Sequence, residues 1–270
     1  MIFLKKELTV FLTGVMFLTR LPVPKNIDHG ENYLQKSPTY FPLIGWIVGL
    51  ISFAAFFIFH KFVGADIGLL AAIIAGIFTT GCFHEDGFAD TCDAFGGGWT
   101  KEKILAIMKD SRLGTYGVAG LVLMLSVKFL LLKEMVTWFS CKAVTEKELY
   151  LLVAVTMVAA HAVSRLMPVF VIQYYQYVTA DDGSKSKPLA SKKLQWPELT
   201  SSVVFALLPL AFFHYYVLLA IVPVLLISFK LANYFKKWIG GYTGDCLGAI
   251  QQVAEVTFYL SVLIIWKYIL

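Results

Sequence analysis

Long apolar runs, separated by short polar stretches, fill most of the chain. A helix needs about 20 apolar residues to cross a lipid bilayer, and seven runs reach or approach that length. The predicted spans are residues 40–59, 67–82, 116–139, 150–177, 199–213, 215–235 and 248–270. The pattern predicts an all-α fold, a polytopic integral membrane helical bundle of about seven transmembrane helices, in which the fifth and sixth form a hairpin.

The first twenty residues differ from these spans. They have charged residues at both ends and an apolar middle that is too short to cross the bilayer, so we expect a helix that lies at the membrane interface. Residues 21–38 are polar and punctuated by proline, which predicts a loop. The chain is therefore expected to form one integral membrane domain over residues 1–270, with an interfacial helix and loop in residues 1–39.

The composition supports a membrane protein. The chain is 58% hydrophobic and 15% charged, and its mean hydropathy of +0.72 lies outside the usual range of soluble domains. The net charge of +5 needs no nucleic acid to explain it, because cytoplasmic loops of membrane proteins collect Lys and Arg. The four cysteines form no CxxC pair, so we interpret them as reduced and structural. A homo-oligomer is compatible with such a bundle, although no feature of the sequence requires one.

The distribution of basic residues predicts an orientation. In the seven-span arrangement, 16 of the 23 Lys and Arg residues fall on the side of the N-terminus and 5 fall on the other side. This bias places the N-terminus and the acidic motif at residues 84–117 in the cytoplasm. The hairpin at 199–235 is the weakest part of the arrangement, since losing one span there would move Asp245 to the opposite face from Asp86.

The motif at 84–117 concentrates acidic residues in an otherwise apolar sequence. Asp86, Asp90 and Asp93 are spaced four and three apart, so a helix would project all three carboxylates from one face. Such like charges repel unless a cation lies among them, and Mg²⁺ takes carboxylates and substrate phosphates as ligands. The spacing therefore predicts a metal site. The alternative is a solvated acidic face at the end of a membrane helix.

Glycines and a second charged cluster follow in the same motif. Gly96 and Gly97 are expected to break the helix and to let a substrate approach the backbone. The second cluster consists of Lys109, Asp110, Ser111 and Arg112. An acidic residue between two cationic residues is typical of a phosphate-binding site, with Asp110 as a metal ligand and Lys109 and Arg112 as counter-charges to the phosphate. Anchoring of the two cations at the membrane edge is the alternative.

Further polar residues lie in and beside the later spans. In the seven-span arrangement Asp245 lies on the same membrane face as Asp86, Asp90, Asp93 and Asp110. Five carboxylates are then expected to converge at the opening of one cavity on that face. Gln251 is expected either to line the cavity at which these aspartates converge or to form a polar packing face. Arg165 lies inside the fourth span, where a charge is costly and usually functional, so we expect it to meet a phosphate. Snorkelling of Arg165 to the interface is the alternative.

Five segments of the chain resemble one known family. They are FLTRLPVP at 17–24, FPLIGWIVG at 41–49, HEDGFADTCDAFGGG at 84–98, MKDSRLGTYG at 108–117 and GYTGDCLGA at 241–249. Together they are similar to the cobalamin synthase family, the adenosylcobinamide-GDP ribazoletransferases, over essentially the whole chain. Glu85 departs from the pattern, which more often has Leu at this position, and is a candidate for an added metal ligand.

The resemblance implies a Mg²⁺-dependent enzyme of the bacterial inner membrane. Such an enzyme joins adenosylcobinamide-GDP to α-ribazole or its 5'-phosphate and releases GMP. Attack of a hydroxyl on a diphosphate requires charge neutralisation and in-line positioning. We assign Asp86, Asp90 and Asp93 to Mg²⁺, and Asp110 and Asp245 to further ligation or to the base. Lys109, Arg112 and Arg165 would hold the diphosphate, and Ser111 would help to bind the substrate.

Two other classes of protein share some of these features. CDP-alcohol phosphotransferases also carry aspartates after an Asp-Gly pair, but their pattern requires Ala-Arg where this chain has Ala89 and Asp90. A cation transporter would also place acids at a membrane mouth. It would be expected to carry them within several spans, often with an internal repeat, and this sequence shows no repeat.

Overall fold

The fold is helical throughout the part of the chain that is described. A computed structural model describes residues 2–25, 27, 30–142, 145–178, 189 and 192–270. Within these ranges no strand forms, and one isolated parallel backbone bridge joins Tyr177 to Tyr242. The predicted all-α fold is therefore confirmed. Lys185 and Lys187, which contribute to the predicted orientation, lie outside the described residues.

Eleven α-helices are labelled here in chain order within the described residues. They are α1 Ile2–Leu18, α2 Glu31–Lys36, α3 Phe41–Phe62, α4 Ala65–Thr80, α5 Phe83–Gly97, α6 Lys101–Lys109, α7 Thr115–Lys142, α8 Glu146–Tyr174, α9 Trp196–Leu207, α10 Ile221–Ile239 and α11 Gly244–Tyr268. Short 3₁₀ helices precede α3, follow α9 and precede α10, at Ser37–Tyr40, Leu208–Phe212 and Tyr215–Ala220.

The lengths of the apolar helices support a multi-pass membrane protein. In the described ranges, five segments are long and apolar enough to cross a bilayer. They are Glu31–Phe62, Thr115–Lys142, Glu146–Tyr174, Tyr215–Ile239 and Gly244–Tyr268. The predicted spans 67–82 and 199–213 correspond to the shorter helices α4, of 16 residues, and Trp196–Phe212. The polytopic bundle is confirmed, whereas the count of seven spans stays a prediction.

A sharp bend separates α4 from the acidic helix. Gly81 has φ 63° and Cys82 has φ 61°, so two consecutive residues adopt the left-handed conformation. Gly is the usual residue in this conformation at the end of a helix, whereas a residue with a side chain, such as Cys82, rarely adopts it. The axis turns by 88° between α4 and α5. The bend directs α5 across the bundle instead of continuing the direction of α4.

Close helix crossings hold the centre of the bundle together. Of the five long apolar segments, those that contain α8 and α11 are the most buried. A Cβ atom at Gly49 of α3 would lie 2.6 Å from Cα of Val158, and Gly45 packs equally closely against the backbone of α8 at His161. Small residues at such crossings let helix backbones approach each other in a membrane bundle. Helix α11 then packs on both α8 and α5.

Helix α1 packs against this bundle along one side. Val10 and Val15 are buried, whereas Leu4 and Leu8 are exposed. The helix has 17 residues and contacts α3 and the 3₁₀ turn before it. Its position at the membrane interface stays a prediction.

Candidate active site

The acidic helix α5 crosses the beginning of α11 at very short range. A Cβ atom at Gly87 would lie 2.9 Å from Cα of Asp245, and one at Gly248 would lie 3.1 Å from the carbonyl oxygen of His84. Gly87 therefore needs to be glycine for this approach, and a side chain at Gly248 would require the backbone at His84 to move by a few tenths of an ångström. The contact places Asp245 beside the start of α5, so Asp245 and Asp86 lie at the same end of the bundle.

Three aspartates meet at this crossing. Asp86 is exposed, and Asp90 and Asp245 are half-buried. Helix α5 is not one of the five long spans. Partial burial, together with the charges of Asp245 and Asp86, raises the pKa of Asp90 to about 7. Thr243 caps α11 by accepting a hydrogen bond from the backbone N–H of Cys246. The crossing is thus a cluster of mutually repelling carboxylates at a helix N-terminus.

Gly87→Ala is expected to force α5 and α11 apart, because the added methyl group would overlap the backbone of Asp245. Overpacking of this kind costs about 1–3 kcal/mol, which thermal unfolding in detergent would measure. Gly97→Ala is the matched control, since its Cβ would meet only Ile107, at 3.5 Å. Equal stability of the two variants would contradict the close crossing.

Asp93 lies on the same helix and connects it to α7. Its carboxylate accepts hydrogen bonds from the backbone N–H groups of Gly114 and Gly117, at 2.7 and 2.8 Å. The side chain is buried, and side chains at these two glycines would collide with it. Asp93 therefore fastens the first turn of α7 to α5. Its assignment to the metal stays a prediction.

Asp93→Ala is expected to lower the free energy of unfolding by about 1–2 kcal/mol, because two backbone N–H groups at the start of α7 lose their acceptor. Hydrogen exchange at Gly114 and Gly117 would accelerate in the variant. Thr100→Ala is a suitable comparison, since it removes one exposed cap bond of 3.3 Å. Unchanged exchange at both glycines would show that Asp93 does not hold α7.

The second charged cluster lies on the surface between α6 and α7. Nε of Arg112 donates to both oxygens of Asp110, at 2.9 and 3.0 Å, and these bonds lower the pKa of Asp110 to about 2. The Arg112 side chain is 87% exposed, and Lys109 and Ser111 are also exposed. The structure thus pairs Asp110 with Arg112, and the predicted metal contact of Asp110 stays a prediction.

Of the two glycines at the end of α5, Gly96 has a packing role. The helix does not break at Gly96 but continues to Gly97. A Cβ atom at Gly96 would lie 2.5 Å from the ring of Tyr116, so the missing side chain makes room for α7. Their contact with a substrate stays a prediction.

A buried polar network fills the bundle behind α5. Lys128 lies 3.2 Å from a carboxylate oxygen of Glu255 and donates to Gln252 at 3.0 Å. Gln252 donates in turn to Glu85 at 2.9 Å. Gln251 donates to Ser164 and to Glu255, both at 3.0 Å. All of these side chains are buried.

Two predicted site residues belong to this network and not to the aspartate cluster. Glu85 precedes Asp86, and successive residues of a helix point about 100° apart, so its carboxylate faces the interior. One carboxylate oxygen of Glu85 accepts from Gln252, and the assignment of Glu85 to the metal stays a prediction. Gln251 is fully buried, which agrees with the alternative of polar packing, and its contact with a substrate stays a prediction.

Arg165 also lies inside the bundle. Only 2% of its surface is exposed, so the snorkelling alternative is wrong. One terminal nitrogen, Nη1, donates to the carbonyl oxygen of His161 at 3.0 Å and lies 3.1 Å from Nδ1 of the same residue. Its Nε has no hydrogen-bond partner among the described residues. Arg165 lines both the cavity around the polar network and a second, more apolar cavity.

The aspartate cluster offers hard oxygen donors to a cation. In the described part of the chain, no three His, Cys, Asp or Glu side chains are already arranged as a metal site. The crossing of α5 and α11 nevertheless brings Asp86 and Asp90 within electrostatic range of Asp245. Carboxylates of this kind suit Mg²⁺, which keeps several waters and takes the remaining ligands from a substrate.

Comparison with known proteins identifies the family. Residues 10–263 match the family model described as cobalamin-5-phosphate synthase. The chain belongs to this family. A relative from Shewanella frigidimarina is 42% identical, with 96% of this chain and 95% of the relative covered. A relative from Leptospira interrogans is 40% identical, with 98% of both chains covered.

Both of these relatives are named adenosylcobinamide-GDP ribazoletransferase, as is a 40% identical relative from Shewanella piezotolerans, for which 97% of both chains is covered. No solved structure matches the chain. The resemblance inferred from the five motifs is confirmed. Membership of the cobalamin-5-phosphate synthase family supports neither a CDP-alcohol phosphotransferase nor a cation transporter.

Proposed function

We propose that the chain is an adenosylcobinamide-GDP ribazoletransferase. It transfers adenosylcobinamide phosphate from the GDP-activated donor to a hydroxyl of α-ribazole or its 5'-phosphate, and it releases GMP. One observation carries the proposal. Two family motifs that are far apart in sequence, 84–98 and 241–249, pack against each other where Gly87 meets Asp245. Membership of the family and the names of the relatives agree with this activity.

Asp86, Asp90 and Asp245 are the residues proposed to hold Mg²⁺. Their half-exposed carboxylates repel one another, and a divalent cation would relieve this repulsion. When bound, the ion supplies neutralisation of the diphosphate charge. The buried Asp93 orders the start of α7 beside this site through Gly114 and Gly117.

The remaining catalytic roles are assigned to three side chains of this chain. The acceptor hydroxyl attacks the phosphorus on the cobinamide side, and the bond to the GMP oxygen breaks. Asp245, besides contacting the cation, orients that hydroxyl by accepting a hydrogen bond from it. Arg112, whose side chain is 87% exposed, exchanges its contact with Asp110 for a phosphate of the donor, and Lys109 adds a second positive charge.

The active site is proposed to face the cytoplasm of the bacterial inner membrane. Most of the Lys and Arg residues fall on the side of the N-terminus in the seven-span arrangement. The contact between Gly87 and Asp245 requires both acidic motifs at one end of the bundle. Both the nucleotide donor and the nucleoside acceptor would then be supplied from the cytoplasm.

The test is turnover by the detergent-purified protein. The expected result is one corrinoid nucleotide for each GMP released, with adenosylcobinamide-GDP, α-ribazole and Mg²⁺ all required. Omission of each component in turn is the control. Release of GMP without a corrinoid nucleotide, or turnover of CDP-alcohol substrates in place of these, would overturn the proposal.

A further inference from the structure

The end of α1 packs beside the starts of α5 and α11. Phe17 of α1 meets Phe83, the first residue of α5, edge-on with ring centroids 5.4 Å apart. Phe17 and Leu18 line one small cavity together with Phe83 and Gly244, the first residues of α5 and α11. The family motif at 17–24 therefore reaches the crossing that holds the aspartate cluster, and the proposed reaction has so far given this motif no role.

The backbone on either side of Arg20, in this motif, is held in place. Thr19 is buried, and its hydroxyl donates to the carbonyl oxygen of Val15 at 2.7 Å and accepts from the backbone N–H of Leu21 at 3.2 Å. The backbone N–H of Arg20 itself donates to the carbonyl oxygen of Thr79, in the last turn of α4, at 2.8 Å. These bonds fix the point from which the Arg20 side chain leaves the backbone.

The side chain of Arg20 lies across the bend between α4 and α5. A Cβ atom at Gly81 would overlap Nε of Arg20 and would lie 2.8 Å from its Cγ, so the bare backbone of Gly81 provides the room for this side chain. Arg20 and Asp86 both lie within electrostatic range of the thiol of Cys82, at the N-terminus of α5. The guanidinium is therefore close to the exposed carboxylate of the aspartate cluster.

The charge of Arg20 is available to a ligand. The chain has three arginines, of which Arg165 is buried and Arg112 is paired with Asp110. Arg20 is exposed, and within the described part of the chain its guanidinium makes no hydrogen bond and no ion pair. A guanidinium presents its N–H donors in a planar fork that matches two oxygens of a phosphate.

We infer that Arg20 binds the diphosphate of the nucleotide donor at the aspartate cluster. The inference rests on the proposed function. A cation held by Asp86 and its neighbours would contact the diphosphate from one side, and the guanidinium of Arg20 would donate to oxygens that the cation leaves free. Arg20 thus adds a third positive charge to those of Arg112 and Lys109. A lipid headgroup also carries a phosphate, so the test separates these two sources.

The test is steady-state kinetics of Arg20 variants in detergent. Arg20→Gln is expected to raise both the KM for adenosylcobinamide-GDP and the inhibition constant of GMP by about tenfold or more, because hydrogen bonds between charged groups are lost. The KM for α-ribazole is expected to stay unchanged. Arg20→Lys keeps the charge without the fork, so only part of the affinity should return. Lys61→Gln, which removes an exposed cation near the end of α3, is the control.

The outcomes separate this inference from the proposed function. Absence of GMP release by the wild-type protein would overturn the function itself. Normal wild-type turnover, with a donor KM and GMP inhibition in Arg20→Gln that match those of Lys61→Gln, would overturn the inference alone. So would a rise in both KM values together with a lower unfolding temperature, which would make Arg20 a structural residue. Loss of stimulation by anionic phospholipid vesicles, with an unchanged donor KM in phospholipid-free detergent, would assign Arg20 to a lipid headgroup and would also overturn the inference.

Discussion

Asp90→Asn is expected to lower kcat for GMP release by roughly 10²–10³-fold, the largest effect on activity of any single substitution proposed for this chain. The amide keeps the size of the side chain and removes its charge. Asp90 is half-buried between the charges of Asp245 and Asp86, so loss of its charge would weaken the proposed cation site and leave the diphosphate charge less neutralised. Steady-state rates over a range of Mg²⁺ concentrations would measure the effect.

Asp66→Asn is the matched control for this substitution. Asp66 is exposed near the start of α4 and pairs with Lys133 at 2.7 Å, away from the crossing of α5 and α11. Its removal is expected to change the rate less than twofold. If Asp90→Asn keeps the wild-type rate at limiting Mg²⁺, the assignment of Asp90 to the metal is wrong.

Lys128→Met is expected to destabilise the protein by about 3–5 kcal/mol, because it removes one partner of a buried ion pair and leaves the other uncompensated. Lys128 and Glu255 lie 3.2 Å apart with side chains 6% and 2% exposed. Gln252 would also lose its contact with the ammonium group. Thermal unfolding in detergent, followed by circular dichroism, would measure the loss.

Lys133→Met provides the comparison on the same helix. Lys133 pairs with Asp66 at 2.7 Å, with side chains 45% and 55% exposed, and an exposed pair of this kind contributes about 0–1 kcal/mol. Similar losses in the two variants would show that the pair of Lys128 and Glu255 is not buried as described. A larger loss in Lys128→Met supports the network as a structural element of the bundle.

The helical structure of α5 was largely predictable, because it follows from the spacing of residues within one short segment. The spacing of Asp86, Asp90 and Asp93 predicted a helix with three acids on one face, and the structure has that helix. The role of Asp93 in fastening Gly114 and Gly117 was not predictable. A spacing rule describes the face of a helix, but it does not show which backbone from another part of the chain will reach that face.

The buried polar network shows a second limit of prediction from the sequence. Lys128, Arg165 and Glu255 are single charges within apolar helices, and such charges need partners. That signal was present in the sequence, yet the pairing of Lys128 with Glu255 depends on the packing of α7 against α11. For the same reason the sequence provided no sign that Glu85 would accept a hydrogen bond from Gln252 of α11.

The spans were predicted best where the apolar runs were longest. Hydropathy located α3, α7, α8 and α11 within a few residues of their observed bounds. It placed α4 as well but gave no sign that the axis would turn by 88° after it. That bend depends on the left-handed backbone at Gly81 and Cys82, and a Gly-Cys pair alone does not predict it.

Helix α5 and the first turn of α11 are proposed to hold a divalent cation together. The most direct test is binding of Mn²⁺, a spectroscopic substitute for Mg²⁺, by the purified wild-type protein and by Asp86→Asn and Asp245→Asn, followed through the electron paramagnetic resonance signal of the free ion. We expect the wild type to bind Mn²⁺ and both substitutions to weaken the same site, although they lie on different helices. Binding to both variants with wild-type affinity would contradict it.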